Sequence, residues 1–349
     1  MPQVDFLIPT QKPTHIACCL MQGFHQLGWE VFANVDSSNW IDTRGISTPF
    51  ARTSGDFIQK VAQLVHGLLI VDVSKGQGVY VDSLRDTLKH RPVILVNMDD
   101  AANFVDYDEG YLTFTTHYNR LALRHGSLRP IGFSLSQDIV DLAAETDLTR
   151  KQDYVIKNFT PSFQQSVRNS LELCFIEGLK NHFPLHEELT TPEQYAQELA
   201  GATLVAAYGG EYLPPMMRNT YLRERMAGGP QAGLYDFKNF DTESAVLRWD
   251  SWRFFEAALF ACAPIQLDFD KYGFELPVKP TPWEHYIPID MTTVSSLPAR
   301  LRQMVDADPD ALARIGRQAR AWVLEHYAPK PVASYVLDQA RAFWPQFFG

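Results

Sequence analysis

The chain has 349 residues, of which 46% are apolar and 21% charged, and it carries a formal net charge of -10. These values exclude a disordered or fibrous polypeptide and allow two domains that each bury a core. The acidic balance opposes polyanions, so nucleic acid is not the expected partner, and apolar runs such as GLLIVDV are too short to span a bilayer.

In chain order, VDFLIPT reads as a strand running into a loop, HIACCLMQGFHQLG as a helix stopping at Gly28, and WEVFANVD as a returning strand. A second strand–helix unit is expected in DFIQKVAQLVHG (helix) and LLIVDVSKG (strand), and a third in VDSLRDTLKH and RPVILVNMDD. YLTFTTH reads as a further strand, and RHGSLRPIGFSLSQD as an irregular exit from the domain. This alternation predicts a doubly wound parallel sheet with ligands at the carboxyl ends of its strands, on loops 9–14, 36–45, 74–79 and 97–103.

The domain boundary is expected near residue 150. Beyond it, DYVIKNF reads as a strand, SFQQSVRNSLELCFIEGLKNH and TTPEQYAQELAG as helices, and ATLVAAYGG as a strand ending at Gly209 and Gly210. The polar stretch between Glu211 and Trp249, with Arg218, Arg223, Arg225 and Arg248, reads as an insertion whose basic side chains either close on a diphosphate or only solvate a loop. The segment SWRFFEAALFACAPIQLDFD then gives an apolar helix feeding a strand, with Arg253 and Glu256 on one helical face and Asp250 or Ser251 able to cap its start. A capped helix N-terminus beside an arginine is an anion site, and a carboxylate one turn on can take a ribose; the plain alternative is a surface ion pair. The residues from Leu297 to Tyr327 read as a helix, and LDQARAFWPQFFG as a short aromatic helix after Pro329 and Pro331.

Ser251, Arg253, Glu256, Ala257, Ala258, Cys262, Pro264 and Ile265 resemble the S-x-R-x-x-E-A-(I/L)-x-x-G-C-x-P-(V/I) signature of exostosin-like glycosyltransferases, members of the GT-B superfamily together with CgeB-like sugar transferases. PTPWEHYIPI, residues 280–289, resembles the P-W-x-H-Y segment of CAP10-like O-glucosyltransferases. The resemblance implies a GT-B fold, two Rossmann-like α/β domains facing a central cleft. Residues 1–150 would bind the acceptor, residues 151–330 the nucleotide sugar, and residues 331–349 would form a helix packing back on the first domain. It further implies transfer of a sugar from a UDP- or GDP-sugar to a glycan or small acceptor, without a metal or prosthetic group. Arg253 would meet the leaving phosphate, Glu256 the ribose, and Gly209, Gly210, Arg248 and Ser251 the rest of the nucleotide. Ala261 stands where the family has glycine, which bears on backbone approach to the donor.

Asp268-Phe269-Asp270 reads as D-x-D but comes after the strand that follows the arginine helix, where it is expected to shape the loop or touch the donor sugar and not to bind a metal. An inverting mechanism needs a base on the first domain, for which His15, Asp99, Asp100 and His117 are candidates and Asp100, after the VILVN strand, is preferred. His285 is expected to be structural. The cysteines at 18, 19, 174 and 262 lack zinc or disulfide spacing and are expected to be reduced. No leader precedes VDFLI, so a cytoplasmic location is expected, with contact to a membrane surface left open. Two alternatives are a non-catalytic GT-B-like scaffold in polysaccharide assembly and a transferase acting on modified DNA bases.

Overall fold

The computed structural model describes residues 1–36, 56–74, 90–98, 110–121, 127–159, 166–212 and 246–348. The first half contributes strands β1 (Gln3–Leu7), β2 (Glu30–Ala33), β3 (Gln59–Lys60), β4 (Leu68–Asp72), β5 (Val93–Asn97), β6 (Leu112–Thr115) and β7 (Leu128–Pro130), with helices α1 (His15–Gln26) and α2 (Gln137–Glu145). The strands lie in the order β3-β2-β1-β4-β5-β6-β7 and every pairing is parallel. LLIVD and VILVN are buried throughout, as strands covered on both faces must be. The order reverses between β1 and β4. There the buried Asp72 carboxylate accepts from Thr14 N at 2.9 Å and Ser74 N at 3.2 Å, tying the residue before α1 to the end of β4, while Thr14's side chain makes no cap bond of its own. Burial pushes the Asp72 pKa up, against the opposing pull of these hydrogen bonds.

The second half forms a five-stranded parallel sheet, β14-β13-β10-β8-β9, from β8 (Gln152–Ile156), β9 (Leu185–His186), β10 (Ala202–Ala206), β13 (Ala263–Leu267) and β14 (Ile287–Ile289). A separate antiparallel ribbon joins β11 (Glu211–Tyr212) to β12 (Val246–Leu247). The helices of this half are α3 (Ser166–Leu171), α4 (Glu177–Lys180) after a π turn at Glu172–Ile176, α5 (Pro192–Gly201), α6 (Trp252–Leu259), α7 (Phe269–Tyr272), α8 (Leu297–Ala307), α9 (Ala311–Tyr327), α10 (Pro329–Phe343) and α11 (Pro345–Phe348). The chain is thus an α/β protein with two parallel sheets, and no described helix is long and apolar enough to cross a membrane.

Several expectations need correction. DFIQKVAQLVHG is not a helix: the open edge of β2 captures Gln59 and Lys60 as a parallel strand, and Val61 N continues the pairing to Ala33 O. The stretch from 127 to 138 is less irregular than expected, since Leu128–Pro130 adds the seventh strand of the first sheet. The segment from Leu297 to Tyr327 is two helices, because Asp308, Pro309 and Asp310 interrupt it and Asp308 takes Asp310 N at 3.1 Å. The last long helix begins at Pro329, where missing N–H groups cost nothing in the first turn. VDSLRDTLKH, apart from its final His90, and most of the 211–249 stretch lie outside the described residues.

Helix α10 packs on α1. Gly23 makes the approach possible: a Cβ there would stand 2.1 Å from Pro329 O and 2.7 Å from Ala333 Cβ. Gly23→Ala is expected to cost about 1–3 kcal/mol through overpacking, read as a lower urea midpoint with an unchanged m-value.

Candidate donor site at the second sheet

Chain order 9-8-10-13-14 across the second sheet reverses between β8 and β10, so the carboxyl ends of these two strands frame the crevice where doubly wound sheets take ligands. Lys157, Asn158 and Phe159 follow β8, and Tyr208, Gly209 and Gly210 follow β10. The buried Phe159 ring is the centre of a cationic cluster. The Arg168 guanidinium lies 4.5 Å from its centroid, that of Arg253 5.9 Å and the Lys157 ammonium 6.0 Å. Backbone carbonyls at the two strand ends hold the arginines: Arg168 Nε donates to Tyr208 O at 3.2 Å and Arg253 Nε to Asn158 O at 2.8 Å.

Lys157 is buried and neutralised by Glu172 at 2.6 Å and Glu187 at 3.1 Å. The π turn begins at Glu172 and so sits at this contact. Arg253 forms no ion pair among the described residues, and its Nε is held by the Asn158 carbonyl. Glu256 is buried one turn further along α6. It and Arg253 both act on Tyr195, whose pKa is pushed well up by burial and then by the Glu256 carboxylate, with Arg253 opposing.

The β11–β12 ribbon brings Val246 and Leu247, the residues before Arg248, against Gly210. Gly210 has φ 129°, and a Cβ on it would fall 2.7 Å from Val246 Cγ1. Arg248 is buried with φ 55°, its Nη1 3.6 Å from Glu211 Oε2. Ser251 stands at the N-cap of α6 but makes no side-chain cap bond; its N–H instead donates to Asp250 Oδ1 at 2.9 Å. Asp99 and Asp100 lie outside the described residues.

His15 and His117 are not exposed bases. His15 is buried with Nε2 3.3 Å from Ser134 O, and His117 is buried with Nδ1 accepting from Asp250 N at 2.9 Å. Asp268 caps α7 by accepting from Lys271 N, and Asp270 pairs with Lys279, so the D-x-D shapes its loop. No group of metal-ligating side chains occurs among the described residues. His285 Nδ1 accepts from Thr281 N at 2.9 Å and its ring stacks on Trp322; burial lowers its pKa first, against the pull of Glu284. Phe159, Lys157 and Arg168 were not singled out from the sequence, although the basic and aromatic letters directly after the DYVI strand were a usable signal.

Ala261 lies away from this crevice, at the amino end of β13. It lines a cavity of about 560 Å³ with Lys151, Asp153, Thr203 and Arg317, and its carbonyl abuts Gly316, where a Cβ would stand 2.1 Å away. Its φ is 55°, so the glycine of the related signature answers a left-handed turn here and not contact with a donor.

No family model matches the chain, and no curated protein matches it. Among solved structures it is similar to Anabaena Alr3699/HepE in complex with UDP, at 12% identity and a TM-score of 0.49 over 97% of this chain and 100% of that one. It is similar also to AviGT4, a glycosyltransferase involved in avilamycin A biosynthesis, at 11% identity and a TM-score of 0.44 over 98% of both chains. A third is an alpha-glucosyltransferase in complex with UDP and a 13-mer DNA containing a HMU base, at 11% identity and a TM-score of 0.49 over 97% of this chain and 99% of that one.

Ala261→Gly is expected to raise stability by up to about 1 kcal/mol by removing left-handed strain, measured by chemical denaturation. Glu172→Ala is expected to cost about 2 kcal/mol in the same assay, since it strips the buried Lys157 ammonium of its shorter partner.

Proposed function

We propose that the chain is a metal-independent glycosyltransferase of the GT-B superfamily, allied to its exostosin-like branch, using a UDP- or GDP-sugar. Residues 151–330 would hold the donor and residues 1–150 the acceptor, with residues 331–349 completing the first unit. The observation that carries this reading is the pair of guanidinium groups flanking Phe159 where the strand order of the second sheet reverses.

Transfer breaks the bond from the sugar's anomeric carbon to the distal phosphate oxygen, which keeps the electron pair. The acceptor oxygen bonds that carbon and gives up its proton. Charge therefore develops on the diphosphate, and fixed cations stabilise it without reorganising at the moment of reaction. Arg253 and Arg168 are the groups for that task, each held through Nε by a backbone carbonyl at a strand end. Glu256 is assigned to the ribose hydroxyls, and Gly209 and Gly210 to close backbone approach beside Arg248. Asp100 is assigned as the base toward the acceptor. The acceptor is a glycan or another small hydroxyl compound, and the expected setting is cytoplasmic.

The test is thermal shift and release of nucleoside diphosphate with UDP-, GDP-, CMP- and dTDP-sugars. One donor should raise Tm and be slowly turned over; no stabilisation by any of them refutes the proposal. Arg253→Ala is expected to lower turnover by about 10²–10³-fold with an unchanged circular dichroism spectrum, and retained activity removes its role. Glu256→Ala is expected to weaken UDP affinity about tenfold by titration calorimetry, and an unchanged titration removes the ribose assignment.

A further inference from the structure

We propose that His117 is a positioning residue for the donor pocket, acting through Asp250 on the helix that carries Arg253; this rests on the donor-site reading above. Helix α6 starts at Trp252 without a side-chain cap from Ser251. What fixes its entry comes from the other sheet. Asp250 N donates to His117 Nδ1 at 2.9 Å, so the ring carries its proton on Nε2. The Asp250 carboxylate is buried and takes one N–H from each side of the boundary: Phe133 N at 3.2 Å on Oδ2 and Ser251 N at 2.9 Å on Oδ1.

The residues on either side repeat the pattern. Trp249 Nε1 donates to Tyr118 O at 3.1 Å, and Val246 O accepts from the buried Asn119 amide at 2.9 Å, which also donates to Tyr272 O. Trp252 packs against His15 at 5.6 Å and Phe133 at 5.3 Å. From 246 to 252, the chain leading to Arg253 is thus read out against residues of the first half.

His117, Ser134 and Arg248 are non-glycine residues with φ of 57°, 63° and 55°. Such a conformation persists only where the surroundings over-determine it, and all three flank this clasp. Arg253 is bound at the strand end through Nε to the Asn158 carbonyl, so a change in how Asp250 seats the start of α6 would strain that contact and shift the guanidinium's seat. Displacements of this kind, small and remote from the reacting atoms, are costly for a group that meets a developing charge.

The experiment compares His117→Ala with His117→Asn in the full chain, titrating UDP and GDP by calorimetry well below Tm, with folding checked by circular dichroism. The Asn carbonyl replaces Nδ1 as acceptor, and Asn tolerates the left-handed backbone. His117→Ala is expected to weaken nucleotide affinity by about tenfold or more, and His117→Asn to recover it to within about threefold. An alanine variant with a lowered Tm but wild-type affinity overturns the proposal, since a merely structural role predicts that result.

Hydrogen exchange on the wild-type chain gives a second reading that needs no variant. UDP should slow exchange in 115–120 and 246–251 together with α6, and protection confined to α6 overturns the proposal. A wild-type chain that takes up neither UDP nor GDP overturns the donor-site reading and this proposal with it. Binding by the wild type and equal binding by His117→Ala overturn the positioning role alone.

Discussion

A buried carboxylate, that of Asp250, ties together two parts of the fold that are far apart in sequence. Its oxygens are satisfied by N–H groups of Phe133 and Ser251, and its own N–H by His117. In a dry environment each of these bonds is expensive to lose, because the alternative is an unsatisfied buried group. The corner from Val246 to Trp252 is therefore attached to the first sheet as firmly as to the second, and the start of α6 follows from it.

The second sheet completes the arrangement by a different device. Its strand order opens a crevice between β8 and β10, and side chains from three separate segments converge there on one phenyl ring. Lys157 is already neutralised by Glu172 and Glu187. Arg253 is tethered through Nε to a backbone carbonyl and forms no ion pair among the described residues. Neighbouring cations are thus held by different means, Lys157 by two carboxylates and Arg253 by a carbonyl.

The alternation of strands and helices was legible because buried parallel strands spell themselves as apolar runs, as LLIVD, VILVN and ATLVA do. Short strands were not: Leu128–Pro130 and Leu185–His186 carry no period and exist because a neighbouring edge accepts them. The 56–67 stretch misled because helical spacing of its apolar residues was overruled by pairing to β2. At the site, Arg253 and Glu256 stood out because a helical period and a motif mark them. Phe159 and Arg168 come together only through the end of a strand, and His117 meets Asp250 across 133 residues, a pairing no local pattern encodes. The glycine missing at 261 was visible in the letters, but its meaning needed the backbone angle.

The seat of α10 against α1 has a consequence for how the polypeptide is made. The face of α1 around Gly23 is shielded by residues that begin at Pro329, so the first sheet's outer layer stays open while everything between is synthesised. Vectorial folding on the ribosome would leave the amino-terminal half waiting, its apolar flank uncovered, until α10 emerges. The order of assembly is thereby reversed for that flank: α1 is translated before α10 yet buried only after it.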